Sequence, residues 1–493
     1  MTDRGAWLAA LAGALLPLAF APFSRYWLAP LLLAVLFAAW DRVTPRRAAS
    51  RGAAFGFAAF LAGTWWLYIS IHGFGGSPRW LAVLLMLGLN LLMAAYVAAC
   101  GWLAARIRAR WSWLSWCLAW PAAWTLLEWL RGWLFSGFPW LSLGYGQIDG
   151  PLAAWAPLGG VYLVSLLTAI VAGLLLLLWR GSARARLGAL AAGLLLVLAT
   201  GLLQQRHWTV PAGERVRVSL VQGAVSQDRK WLPGQRLPTL RLYHDLSFPG
   251  PPRRILLWPE VAIPALADEV GDYLQALHAE ARAADSTLLL GILTRGSGDD
   301  GFYNALIALG ADTGEYHKRH LVPFGEFFPV PGFVREWLRL MSLPYRDMTA
   351  GAREQPPLQA LGIRLAPSIC YEDAFGAEQL DFLPAAALLV NVSNDAWFGD
   401  SIAPAQHLQM ARMRALEAGR PMLRATNTGI TAIIGADGRL QDRLPQFRPG
   451  VLHGQVQPRR GATPYVRAGD LPVLGLSLLL VFAGLGSRRA AGD

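Results

Sequence analysis

One cysteine in this sequence stands where a nucleophile could work. Residues 362–369 read as a short apolar strand, and Cys370 follows directly, before Glu372 and Asp373. A thiol at the carboxyl end of a strand is held by a rigid element, which favours a role as a nucleophile. A free cysteine is more often a buried structural thiol, so Cys370 alone does not establish catalysis. The rest of the sequence has to decide between these interpretations.

Lysine usage draws attention to a second position. Lys230 and Lys318 are the two lysines among 44 basic residues, and arginine fills all the other positions. Lys318 lies in residues 316–326, a loop-like stretch that also contains Glu326. A compact ammonium can bind an oxyanion where a planar guanidinium fits poorly. We therefore predict a chemical role for Lys318, whereas the lysine at position 230 could be chance.

A third stretch supplies a carboxylate. Residues 255–260 form an apolar strand that ends in Glu260, just after Pro259. In an apolar site beside Lys318, Glu260 could take the proton of the Cys370 thiol and later deprotonate an attacking amine. Most glutamates at strand ends are solvated, so this hypothesis depends on the three stretches taken together.

The sequence around these residues alternates between strand and helix patterns. Such interleaving indicates a layered α/β domain with a core of its own. The predicted strands are residues 216–221, 255–257, 287–293, 304–309, 363–369, 387–392, 423–425, 431–434 and 451–456, and the predicted helices are residues 237–246, 268–284 and 404–418.

The chain as a whole has the composition of a membrane protein. It is 54% hydrophobic and 15% charged, whereas soluble proteins contain about 25% charged residues. Its basic residues lie in short clusters between apolar runs, which is not a nucleic-acid footprint, so we expect no nucleic-acid partner. A membrane span needs about 20 apolar residues, so the shorter runs would require tilting or local thinning. We predict about eight spans, at residues 6–22, 26–41, 52–71, 80–104, 112–134, 152–179, 185–204 and 470–486.

The arginine clusters predict how these spans are oriented. With eight spans, all the clusters fall on one side of the membrane, which the positive-inside rule identifies as the cytoplasm. We therefore predict a transmembrane domain of about seven spans at 1–211, an extracytoplasmic domain at 212–467, and a final span with its tail at 468–493. The clusters are Arg4; Arg42, Arg46, Arg47 and Arg51; Arg106, Arg108 and Arg110; Arg180, Arg184 and Arg186; and Arg488 with Arg489.

Few residues in the predicted spans could do chemistry. Glu128 is the one acid inside a span and so a functional candidate, but Arg131 three residues later favours a local ion pair. Cys100 and Cys117 lie in apolar runs, and no spacing indicates a disulfide framework or a zinc site. No chain of acids or histidines crosses the predicted spans, which argues against an ion-coupled transporter.

The three reactive stretches together resemble the nitrilase superfamily, whose Glu–Lys–Cys triad occurs in this order along the chain. The resemblance covers about residues 213–457, and residues 391–399, 412–417 and 427–430 add to it. With a predicted membrane domain before it, the sequence is similar to one family in particular, bacterial apolipoprotein N-acyltransferase. Residues 222–231 and 397–407 carry this closer similarity, which extends over nearly the whole chain.

This resemblance implies a fold and a set of site residues. We expect a polytopic α-helical membrane domain joined to a nitrilase-like αββα sandwich, with Glu260, Lys318 and Cys370 as the catalytic triad. Further residues would assist in acid–base chemistry, orient the lysine or contact substrate. They are Glu326, Glu372, Tyr371 and Trp231. From the residues alone, Glu372 could equally be a helix-start carboxylate, and Tyr371 and Trp231 could be packing residues.

The resemblance also implies a two-step reaction. Cys370 would take an acyl chain from a membrane phospholipid as a thioester, and the free α-amine of a diacylglyceryl-cysteine apolipoprotein would accept that chain. No metal or other cofactor is expected. The protein would be a monomer in the bacterial inner membrane with its catalytic domain facing the periplasm. A helix at residues 330–341 could lie in the membrane interface as a lid or pack against its own domain.

Two other functions compete with this one. A membrane-anchored amidase or nitrile hydrolase would use the same triad and pass the acyl group to water. A transporter or scaffold would carry a catalytically dead domain, which the complete set of triad residues argues against. A single anchor would suffice for a hydrolase, so eight spans favour a substrate that itself lies in the bilayer.

The predicted topology can be tested with reporter fusions. A reporter fused after Gly213 is expected to report the periplasm, and one fused after Arg489 the cytoplasm, because the arginine clusters alternate with the spans. Paired alkaline phosphatase and fluorescent protein fusions at each site measure this. Both sites reporting the same compartment would contradict an odd number of spans before Gly213 together with one span after it.

Overall fold

The computed structural model describes residues 3–296, 301–327 and 348–489. By packing, the chain forms two units. We call the first the helical unit; it comprises Met1–Trp208, Phe398–Met413 and Thr463–Asp493. The second, the sheet unit, comprises Thr209–Trp397 and Arg414–Ala462. The lid helix predicted at residues 330–341 lies outside the described residues.

The helical unit has a helix in each of the eight segments predicted to span the membrane. Within the described residues, three helical segments are long and apolar enough to cross a bilayer: Arg79–Arg106, Pro151–Arg180 and Ala183–Gln204. The apolar helices at either end of the chain are shorter, as the sequence predicts. The helices are α1 Arg4–Leu15, α2 Leu28–Trp40, α3 Pro45–Thr64, α4 Arg79–Arg106, α5 Trp120–Arg131, α6 Ala156–Arg180, α7 Ala183–Gln204 and, near the end of the chain, α12 Leu471–Arg489.

The ion pair predicted between Glu128 and Arg131 is not formed. The Glu128 carboxylate accepts a hydrogen bond from the backbone N–H of Leu143 at 3.0 Å. The Arg131 guanidinium donates to the backbone carbonyls of Phe138 and Trp140. Helix α5 ends at Arg131, and the chain then leaves backbone groups that the helix does not pair. Both charged side chains bond to such backbone groups. The three-residue spacing that favours an ion pair within an intact helix therefore does not produce one here.

Residues Phe398–Met413 pack within the helical unit. The ring of Phe398 lies edge-on to that of Trp66, with centroids 4.7 Å apart. The Gln406 side-chain carbonyl accepts hydrogen bonds from the indoles of Trp66 and Trp140, at 3.2 and 3.0 Å. Buried aromatic rings whose N–H groups all find partners form a well-specified contact.

The sheet unit contains two six-stranded sheets. One sheet has the order β12-β1-β2-β3-β4-β5, and its strands are β1 Val216–Gln222, β2 Arg254–Leu257, β3 Thr287–Arg295, β4 Phe302–Gly310, β5 Gly314–His317 and β12 Gly450–Val456. The other has the order β11-β10-β9-β8-β7-β6, and its strands are β6 Leu358–Ala360, β7 Ile363–Ile369, β8 Leu388–Ser393, β9 Met422–Thr426, β10 Ala432–Ile434 and β11 Leu440–Arg443. The nine strands predicted from the sequence are confirmed. The short strands β5, β6 and β11 were not predicted.

Each sheet has three parallel strands at its centre. Strands β1, β2 and β3 run parallel in one sheet, as do β7, β8 and β9 in the other, and antiparallel strands flank both groups. The carboxyl ends of parallel strands meet at one edge of a sheet, which is where α/β proteins place functional groups. Glu260 follows β2, and Cys370 follows β7. The topology thus brings predicted site residues to the ends of central strands.

Helices of the sheet unit pack on the apolar strands. These helices include α8 Gln227–Lys230, α9 Arg236–Ser247, α10 Gly271–Ala283 and α11 Ala403–Ala418, of which α11 has its first residues in the helical unit and its last in the sheet unit. The three helices predicted from the sequence correspond to α9, α10 and α11. Leu240 of α9 and Leu277 of α10 are buried in one core with Leu256 of β2 and Leu288 of β3. Burying each such side chain contributes about 1.5–3 kcal/mol.

Gly291 of β3 fixes how closely the chain around Glu260 approaches the sheet. A Cβ at this position would lie 2.5 Å from the Pro259 carbonyl oxygen and 2.7 Å from the Glu260 Cα. We expect Gly291→Ala to lower stability by about 1–3 kcal/mol, because backbone atoms would have to move. The matched control is Gly271→Ala at the start of α10, where nothing lies within 4 Å of the added carbon. Thermal unfolding measures both, and equal midpoints would contradict the close approach.

Candidate active site

Glu260 is held in a buried position at the end of β2. The residue is 6% exposed. Its Oε1 accepts a hydrogen bond from the Asn304 side-chain amide at 2.7 Å, and its Oε2 accepts one from the backbone N–H of Asn394 at 2.9 Å. Hydrogen bonds to both oxygens fix the direction of the carboxylate. The side chain of Glu260 therefore has a defined orientation.

Lys318 joins two carboxylates. It follows β5, is 1% exposed, and its Nζ lies 2.7 Å from Glu326 Oε1 and 3.4 Å from Glu260 Oε1. Burial by itself lowers the pKa of Lys318, but the charges of Glu326 and Glu260 outweigh that effect and the pKa lies above its ordinary value. The side chain is therefore a permanent cation at neutral pH. Glu326 is itself oriented, because its Oε2 accepts the Val322 N–H at 2.8 Å.

Cys370 sits on a strained turn directly after β7. Its backbone φ is +53°, a left-handed conformation that is uncommon for residues other than glycine. The residue is partly exposed, whereas Cys100 and Cys117 are buried. Burial of the thiol raises the pKa of Cys370 well above its ordinary value, the Glu260 charge raises it further, and the Lys318 charge lowers it in part. The thiol is therefore largely protonated at neutral pH and needs a base to become a nucleophile.

A buried arginine stabilises the turn at Cys370. Arg424 of β9 donates to Asp373 and Asn391 at 2.6 Å each, and to Asp395 at 3.3 Å. All four residues are buried. The Asn391 side chain also donates to the Cys370 carbonyl at 3.4 Å. One guanidinium thus ties the chain beyond β7 to the chain beyond β8. Such a network holds a strained turn because breaking one member leaves buried charge uncompensated.

Glu372 connects the turn at Cys370 to the segment that carries Lys318. Its carboxylate accepts backbone N–H groups from Ile369 at 2.6 Å, Arg319 at 2.6 Å and His320 at 3.1 Å, and the hydroxyl of Tyr316 at 2.9 Å. The residue flanks Cys370 on one side and the segment that carries Lys318 on the other. These contacts favour the lysine-orienting role for Glu372 over an acid–base role.

The two aromatic candidates have different surroundings. Tyr371 is buried, and its ring contacts those of His320 and Phe375, with centroids 5.6 and 4.9 Å away. Trp231 follows α8 and is 51% exposed. Packing therefore accounts for the position of Tyr371, whereas the exposed indole of Trp231 is open to a ligand.

Three residues of the site were not identified from the sequence. Asn304 and Asn394 orient Glu260, and Arg424 braces the cysteine turn. Asn394 belongs to residues 391–399, which carried part of the family resemblance. For Asn304 and Arg424 the available signal was a polar side chain within an otherwise apolar strand.

Comparisons with known proteins agree with this geometry. The family model described as "Apolipoprotein N-acyltransferase N-terminal domain" matches residues 12–174, and the one described as "Carbon-nitrogen hydrolase" matches residues 217–465. A protein called apolipoprotein N-acyltransferase from Methylococcus capsulatus is 46% identical over 98% of this chain and 96% of its own length. The chain belongs to the apolipoprotein N-acyltransferase family. Proteins with the same name from Azotobacter vinelandii and Pseudomonas putida are 45% and 43% identical over 98% of this chain, and over 95% and 97% of their own lengths.

Membership in this family agrees with both parts of the chain. The carbon-nitrogen hydrolase match covers the two sheets and includes Glu260, Lys318 and Cys370. The N-terminal match covers α2 to α5 with parts of α1 and α6, and the long apolar helices of this unit fit a membrane-bound enzyme. Within the described parts of the chain, no group of three or more acidic, histidine or cysteine side chains suits a metal ion.

The charges around Cys370 should control its reactivity in opposite directions. We expect Glu260→Gln to speed alkylation of Cys370 by iodoacetamide at pH 8, because the variant lacks the negative charge that raises the thiol pKa. Lys318→Met should slow it, because the cation that lowers this pKa is lost. Each unit of change in the pKa alters the thiolate fraction about tenfold. Alkylation rates from pH 6 to 10, with the modified peptide mapped, test this. Equal rates in wild type and Glu260→Gln would contradict electrostatic coupling between carboxylate and thiol.

Proposed function

We propose that this protein transfers a fatty acyl chain from a membrane phospholipid to the N-terminal amine of a diacylglyceryl-cysteine apolipoprotein, through a thioester on Cys370. The observation that carries the proposal is the convergence of Glu260 and Lys318, 3.4 Å apart, beside a strained and partly exposed cysteine. Membership in the apolipoprotein N-acyltransferase family supports lipoprotein N-acylation as the reaction.

In the first step, Glu260 takes the thiol proton and the sulfur attacks the carbonyl carbon of the phospholipid ester. Negative charge develops on the carbonyl oxygen, and the Lys318 ammonium stabilises it. The ester C–O bond then breaks, and the lysophospholipid alkoxide leaves with the proton from Glu260. One acyl chain remains on Cys370 as a thioester.

In the second step, the apolipoprotein amine attacks the thioester carbonyl. Glu260 removes a proton from the amine, and Lys318 again stabilises the oxyanion. The C–S bond breaks, the amide product forms, and the proton held by Glu260 returns to the sulfur. The free enzyme is regenerated, so the two substrates react in turn in a ping-pong mechanism. Glu326 keeps Lys318 in position throughout, and Trp231 contacts a substrate.

The membrane arrangement belongs to the same proposal. We infer eight spans, with residues 1–211 and 468–493 in the bacterial inner membrane and residues 212–467 forming an αββα sandwich in the periplasm. The positive clusters between the spans support this orientation. Both substrates carry acyl chains in the bilayer. Spans before and after the catalytic domain keep it at the membrane, where these substrates lie. The enzyme acts as a monomer because one chain carries the whole triad.

A hydrolase with the same triad would pass the acyl group to water instead. The family membership does not favour this alternative, and a transferase must keep water from competing with the amine. The buried environments of Glu260 and Lys318 support a dry site.

The proposal predicts a stable acyl-enzyme. Phospholipid alone is expected to add one fatty acyl chain to the protein, and hydroxylamine should remove it. A diacylated lipopeptide with a free amino terminus should discharge the adduct and become triacylated. Cys370→Ala should form no adduct. Glu260→Gln should load at least about a hundredfold more slowly, although its thiol is more readily alkylated, because no carboxylate passes a proton to the leaving lysophospholipid. Intact-mass spectrometry measures each step. An adduct mapped to Cys100, or rapid release of free fatty acid without transfer, would overturn the proposal.

A further inference from the structure

The second lysine of the chain is also buried at this site. Lys230, the last residue of α8, is 2% exposed. Its Nζ donates to the backbone carbonyl of Glu260 at 3.5 Å, and no carboxylate lies within 4.0 Å of it among the described residues. A buried ammonium without a carboxylate in contact is costly, since lysine is almost never fully buried unless it is paired. The adjacent basic residue, Arg229, is exposed, so burial of a basic side chain in this helix is specific to position 230.

Helix α8 is attached to the environment of Glu260 at both ends. At its start, the Gln227 side-chain carbonyl accepts a hydrogen bond from the Asn394 amide at 2.9 Å. The backbone N–H of the same Asn394 binds Glu260 Oε2. At its end, Lys230 binds the backbone of Glu260. A helix of four residues is thus held against the catalytic base from two directions, which sets where the lysine charge lies.

Glu260 shares the ammonium of Lys318 with a second carboxylate. The Lys318 Nζ lies closer to Glu326, at 2.7 Å, than to Glu260, at 3.4 Å. Glu260 therefore has the weaker contact with that cation. Lys230 places a second buried ammonium next to the Glu260 backbone, and its charge interacts with that of Glu260.

We propose that Lys230 is a positioning residue that holds the Glu260 backbone and adds a positive charge near the Glu260 carboxylate while Lys318 stabilises the oxyanion. This role rests on the acyl transfer proposed above and assigns no contact between Lys230 and substrate.

The charge of Lys230 depends on pH within an accessible range. Burial lowers the pKa of Lys230 to about 8, and the nearby Glu260 charge opposes this decrease. Around α8, Glu260 is the charged group that the described structure brings to Lys230, and Asp228 and Arg229 of the same helix are exposed. The ammonium is therefore present below about pH 8 and is lost as the pH rises through that value. A variant without the charge should differ from wild type at low pH and resemble it at high pH.

The experiment measures the rate of Cys370 acylation by phospholipid in mixed micelles from pH 5.5 to 9.5. The full-length proteins compared are wild type, Lys230→Met, Lys230→Arg and the control Arg229→Met, which removes an exposed charge from the adjacent position. Methionine keeps the length and apolar stem of lysine and removes its charge. Thermal unfolding of each variant confirms that it is folded.

Lys230→Met is expected to acylate about tenfold more slowly than wild type at pH 6, because the positive charge near the catalytic base is lost. The two rates should converge above pH 8.5, where the wild-type lysine is neutral. Lys230→Arg should stay near the wild-type rate at pH 6 because its charge persists, and Arg229→Met should match wild type at that pH. A rate ratio that stays constant across the pH range would overturn the electrostatic role, and so would wild-type behaviour of Lys230→Met. In either case, normal loading of wild type with none in Cys370→Ala would leave the acyl transfer proposal intact.

Discussion

The site depends on one buried cation between two carboxylates. Removing an ammonium such as that of Lys318 from water costs several kcal/mol, and contacts with Glu326 at 2.7 Å and Glu260 at 3.4 Å offset that cost. Glu260 comes from the connection after β2, and Lys318 and Glu326 both come from the connection after β5, so the cluster forms when the sheet has formed. Cys370, on the neighbouring sheet, then lies in a field in which a carboxylate raises the thiol pKa and an ammonium lowers it. Burial and the carboxylate together outweigh the ammonium, so the thiol stays protonated at neutral pH.

A second buried charge network supports the nucleophile itself. Arg424 binds Asp373 and Asp395, which lie beyond two different strands of one sheet. The left-handed backbone of Cys370 persists because the residues on both sides of it are held, by Arg424 through Asp373 and by the N–H groups that bind Glu372. The two networks have different roles. Lys318 and its two carboxylates form the charged part of the site, and Arg424 with its partners fixes the turn that carries Cys370.

The helical unit agrees with the family to which the chain belongs. Long apolar helices fit a membrane-bound enzyme, and the two substrates proposed above both carry acyl chains that reside in a bilayer. The charged residues of the helical unit serve its architecture. Glu128 and Arg131 satisfy backbone groups where α5 ends, which is what an apolar environment requires of exposed N–H and carbonyl groups.

The sequence by itself determined the nature of the reactive groups. Apolar strands that end in Glu260 and Cys370, and a lysine at position 318 in an arginine-rich chain, are local patterns, and the nine predicted strands follow from hydrophobic runs with clear ends. Tertiary structure decided which residues contact these reactive groups. Asn304, Asn394 and Arg424 become part of the site through contacts with residues 29 to 134 positions away, which no local pattern encodes. The pair Glu128 and Arg131 has the spacing of an ion pair, yet the fold gives each residue a backbone partner, because the helix ends there. Lys230 stands out in the sequence as one of two lysines, but its burial and its contact with the Glu260 backbone come from the tertiary structure.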